Sequence, residues 1–110
     1  MKRYIHASNE QDKLRKVGDL AEEIVNYLDD NGISRVELYN YKIYQPIDRI
    51  AVIDVYIDGD WKHDHLRADW LVKEKYHPVR SDSVPLEDTG SDWGPELHTY
   101  YIYMSELSEV

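Results

Sequence analysis

Six apolar residues, Leu14, Val17, Ala21, Ile24, Val25 and Leu28, recur at the i, i+3, i+4 spacing of one helix face over four turns. Lys13, Glu22, Glu23 and Asp29 fall off that stripe, so the segment offers an apolar seam to a second layer and a charged side to water. Such a helix is held by what it packs against, and the chain supplies a partner at once. Asn31-Gly32 provides a left-handed residue to end the helix, and from Ile33 the pattern changes to the two-residue alternation of strands. Ser8 as N-cap with Gln11 three residues later forms a capping box, which predicts a helix over about residues 9–31. A short strand from Lys2 to His6 is expected before it.

The β-rich run Arg35 to Tyr44 predicts a strand, and Pro46-Ile47-Asp48 breaks it. Arg49 to Asp58 resumes with Ala51, Ile53, Val55 and Ile57 on one face and Val52, Asp54 and Tyr56 on the other, a second strand antiparallel to the first. Asp58-Gly59 suits a type I′ turn, which would return Asp60 to Leu66 as a third strand. Trp70, Leu71 and Lys73-Glu74-Lys75 suit a short helix over Arg67 to Tyr76, with a strand as the alternative, and Pro78 ends either. Residues 79–95, rich in Ser, Asp, Gly and Pro, read as one long acidic loop, and Glu96 to Met104 as a Tyr-rich strand. No repeat or linker divides the chain. The expected fold is a single α+β domain over residues 1–110, an antiparallel sheet of three to five strands crossed by one long amphipathic helix and at most one short one.

With 42% hydrophobic residues in 110, the chain can bury one core and not two. The absence of Cys excludes a disulfide framework, a thiolate zinc finger, an iron–sulfur cluster and a Cys nucleophile. No apolar run reaches the ~20 residues of a membrane span, and Met1 to His6 does not open a signal peptide, so a cytoplasmic address is expected. The 13 basic and 22 acidic residues give a net charge of −9. Most of the excess lies late: between residues 81 and 110, Asp82, Glu87, Asp88, Asp92, Glu96, Glu106 and Glu109 face no base at all. A field of that sign repels phosphate backbones, which argues against direct nucleic-acid binding and for a basic protein partner. Tyr occurs ten times and Phe never, and the tyrosines at 39, 41, 44, 100, 101 and 103 fall on both faces of expected strands. Their hydroxyls suit a sheet face reaching water, and as a contact surface they suit a protein.

One constellation carries chemistry. On a strand, His63-Asp64-His65 would point two imidazoles to one face, and a two-residue turn at Asp58-Gly59 would set Asp54 opposite His63. Asp54, His63 and His65 are then ligands for zinc, with Asp69, His77 or water completing a tetrahedron. A three-residue turn over 58–60 would set His63 opposite Val55 and break the cluster. His6 and His98 stand alone in the sequence and read as structural or exposed. The chain has no Gly-rich phosphate loop, no Gly-x-Ser-x-Gly elbow and no His-Glu-x-x-His helix, so no enzymatic activity is expected.

The opening Met1-Lys2-Arg3-Tyr4-Ile5-His6-Ala7-Ser8 resembles the start of many small proteins of phages and mobile elements in Gram-positive bacteria. The compact, acidic, Cys-free, Tyr-rich profile is similar to the anti-CRISPR proteins of such elements, which bind an RNA-guided Cas nuclease and block its DNA. Those proteins share no sequence signature, so the resemblance assigns no residue. It implies an inhibitor that binds a host nucleic-acid enzyme stoichiometrically in the bacterial cytoplasm, a type II CRISPR Cas nuclease first. The acidic stretch would supply the contacts, through Glu87, Asp88, Asp92, Trp93 and Glu96. Two other functions stay open: a small metal-dependent hydrolase centred on Asp54, His63 and His65, and an accessory phage protein without a defence role.

Overall fold

A computed structural model describes residues 2–33, 35–44, 49–58, 62–86 and 95–104, with side chains left out at 2–10, 62 and 63. Six elements follow one another: α1 (Lys2–Asp30), β1 (Val36–Ile43), β2 (Ile50–Ile57), α2 (Lys62–Tyr76), β3 (Arg80–Pro85) and β4 (Glu96–Tyr103). The four strands form one sheet in the order β1-β2-β4-β3, each neighbour antiparallel. This is the expected α+β class.

The α1 seam is buried as its spacing predicts: Val17, Ala21, Ile24 and Leu28 are fully enclosed, while Leu14 remains exposed. The helix ends in a Schellman motif. Gly32 takes φ +86°, the Ile33 amide donates to the Leu28 carbonyl and the Gly32 amide donates to the Asp29 carbonyl, so these two carbonyls find partners in the turn itself. The start differs from expectation: α1 runs from Lys2, no strand forms over 2–6, and Ser8 lies inside the helix. A strand needs a neighbour to pair with, whereas a helix satisfies its own amides within the segment.

On the sheet, Ala51, Ile53, Val55 and Ile57 of β2 line the buried face, joined by Tyr100 and Ile102 of β4. Both helices pack there, α1 over β1 and β2 and α2 against β4, so Ala68, Leu71 and Val72 of α2 share one core with the α1 seam. An irregularity between Leu38 and Asn40 gives β1 one extra residue and brings Tyr41 opposite Ile53. The Tyr41 ring then lies against Gly18 of α1, where a Cβ would stand only 3.0 Å from two ring carbons. Glycine is what lets β1 and α1 approach there.

Two expectations are corrected. The segment from Lys62 is helical, so the third strand expected over Asp60 to Leu66 does not form from Lys62 on, Asp60 and Trp61 lying outside the described residues, and the helix expected over Arg67 to Tyr76 is the latter part of a longer one. His65, Ala68, Leu71 and Val72 recur at helical spacing and are buried, with Asp64 in the first turn and Lys73 and Lys75 in the last, where the helix dipole favours each sign. The expected loop over 79–95 contains β3. Its Ser-Asp-Ser run is polar because an edge strand with one neighbour has little to bury, and Pro85 closes it. Among the described residues no helix is long and apolar enough to cross a membrane.

Candidate metal centre

Register decides what meets the α2 seam. His98 pairs with Val55 and Tyr100 with Ile53, both on the helix-covered face, so alternation also turns Glu96 and Ile102 toward the helices. His65, in the first turns of α2, therefore sits over Glu96-Leu97-His98. His65 Nδ1 lies 2.9 Å from Glu96 Oε2 and 3.1 Å from His98 Nε2, and the last two atoms are 3.8 Å apart. A triangle with those sides has a point about 2 Å from all three corners, the length of a zinc bond to nitrogen or oxygen. Its edges bracket the roughly 3.3 Å between ligands on a tetrahedron around such an ion.

Hydrogen bonds alone serve this triangle poorly. His65 Nδ1 can present one proton or one lone pair, yet it faces a carboxylate oxygen and an imidazole nitrogen together. Both imidazoles are buried, at 5% and 3% exposure, while the Glu96 side chain keeps 24%. The rings stack with centroids 5.2 Å apart and 17° between planes, and Tyr100 extends the stack beyond His98. Burial, reinforced by His65 and opposed by Asp69, lowers the His98 pKa from 6.5 to about 4, so His98 is neutral at pH 7, the form that ligates a metal. Among the described residues the buried Tyr100 hydroxyl has no partner of good hydrogen-bond geometry, and burial followed by the Asp69 carboxylate raises its pKa. Asp69, one turn after His65, pairs with Lys73 at 2.7 Å.

Of the ligands expected from sequence, Asp54, His63 and His65 with Asp69 or His77 to complete the set, the structure brings His65 into the cluster. Asp54 projects from the opposite, helix-free face, where Thr99 Oγ1 donates to its Oδ1 at 2.6 Å. His63 belongs to helix α2 and not to a strand, and its side chain lies outside the described residues. His77 is exposed and adopts φ 50° just past the end of α2, its amide donating to the Lys73 carbonyl. His98, read as isolated, is instead central to the cluster. Glu96, expected at a partner surface, faces His65. Glu87, Asp88, Asp92 and Trp93 lie outside the described residues. The missed signal was Glu96-x-His98: the two-residue spacing sought at His63 and His65 holds on β4, the element that is a strand.

His65, Glu96 and His98 together form a group able to hold a metal ion. No family model, no curated protein and no solved structure matches this chain.

Proposed function

We propose that this chain is a zinc-binding protein that acts by binding and not by turnover, with the ion held by His65, Glu96 and His98. The observation that carries this reading is the convergence of two neutral-capable imidazole nitrogens and one carboxylate oxygen around a single point. Two imidazoles and a carboxylate suit zinc. The same set serves iron where three positions stay open to exchangeable ligands, and burial of both imidazoles argues against that much access. A shared ion also has a structural use, since it ties the beginning of α2 to the beginning of β4. The test is elemental analysis of untagged protein purified without chelator and then supplied with zinc. Close to one zinc per chain is expected, lost in His98→Ala; a ratio near zero, or iron retained in preference, overturns the reading.

A second reading rests on charge. Seven acids and no base over residues 81–110 favour stoichiometric association with a basic protein. The resemblance to anti-CRISPR proteins makes a Cas nuclease the first partner to try, with its DNA-binding groove as the surface covered. A DNA-cleavage assay with increasing amounts of this protein tests it: loss of cleavage at about one equivalent supports the reading, and full cleavage at large excess removes that partner.

A further inference from the structure

We propose that Asp69 is the fourth ligand of the ion, leaving Lys73 when the metal binds and closing the site with protein groups alone. The inference rests on the metal-binding reading above and extends it to the site's role. Residues four apart on a helix lie on one face and can serve one ion, and Asp69 stands four after His65, as Glu96 and His98 stand two apart on β4. The ligand pattern is thus His-x3-Asp from the helix and Glu-x-His from the strand.

Two physical arguments favour the closure. A divalent ion held by Glu96 alone leaves one uncompensated positive charge among buried side chains, and a second carboxylate cancels it. Asp69 is held by Lys73, whose side chain is 53% exposed, so water screens the pair, and it also bears on the Tyr100 hydroxyl. The Asp69 carboxylate acts electrostatically on both His98 and Tyr100, whose side chains face the helices from β4. Four protein ligands make a structural site and leave no position for an activated water.

The test compares zinc affinity, by competition with a chromophoric chelator, in the parent, Asp69→Asn and Lys73→Met. It is paired with absorption spectra of the cobalt-substituted proteins with and without azide. Asp69→Asn should weaken zinc at least about tenfold and make the cobalt spectrum respond to azide, while Lys73→Met should bind as tightly as the parent or tighter. The parent spectrum should show the intense bands of four-coordination and ignore azide. Parent-like affinity in Asp69→Asn, or an azide-sensitive parent, overturns the closure and leaves the metal site standing. Failure of the parent to bind zinc or cobalt overturns both.

Discussion

His65 and His98, 33 residues apart in sequence, stack their imidazoles in the α2–β4 interface with His65 Nδ1 facing His98 Nε2 at 3.1 Å. Two buried rings that meet nitrogen to nitrogen, with Glu96 Oε2 beside them, form a contact that one proton satisfies only in part, within a group able to hold a metal ion. The consequences for stability and binding can each be measured.

Without metal, His98 makes the fold sensitive to acid. The unfolded chain takes up a proton near pH 6.5 that the folded chain refuses until about pH 4, so stability present above 6.5 falls as pH drops through that window. The loss is at most on the order of 3 kcal/mol, and His98→Gln should flatten it. Urea titrations of chelator-treated protein at several pH values between 4 and 7 check this. Equal slopes for parent and variant would contradict it.

Tyr76 and Tyr100 should ionise only as the protein unfolds. Burial leads both shifts, with Glu23 adding to the first and Asp69 to the second, and each raises the folded pKa above the ordinary 10. Stability from both groups is complete below pH 10 and is lost above it. Absorbance at alkaline pH should show part of the tyrosine signal appearing together with the loss of helix. Ionisation of all ten tyrosines in a folded chain would refute the burial.

Ile24→Ala should destabilise the protein by about 2–5 kcal/mol, because Ile24 is fully enclosed between α1 and the sheet and its removal leaves a cavity. Leu14→Ala, on the same stripe but 42% exposed, should cost far less. Denaturant unfolding of the two variants separates them; equal losses would mean that the seam does not end where the structure ends it.

Association with a basic partner should depend on Glu87, Asp88 and Asp92. Their joint replacement by Lys should slow association and reduce its salt dependence, while three equivalent changes on the outer face of α1 should matter less. Association rates at rising ionic strength measure this. A triple variant that stays folded and binds as fast as the parent contradicts the charge-based reading.

How legible these features were depends on how local their causes are. The α1 seam, the Gly32 stop and the alternation of β2 were read directly, because periodicity and a positive-φ residue act within a few positions. The α2 helix was half missed: Asp58-Gly59 suggested a hairpin, while the helical recurrence of Ala68, Leu71 and Val72 became decisive only with a sheet beneath it. Strand β3 was hidden by its polar run, which an edge position permits. The centre was least legible. The sequence points to His65 as a ligand but on a strand, and its partners Glu96 and His98 reach it only through the β2–β4 register, which no local pattern encodes.

Anomalous diffraction at the zinc edge from crystals of the zinc-loaded protein shows directly whether an ion sits between α2 and β4. One strong peak is expected in each chain, about 2 Å from His65 Nδ1, His98 Nε2 and Glu96 Oε2. A peak at His77 or among surface carboxylates with none between α2 and β4, or no peak from crystals grown with zinc, would contradict it.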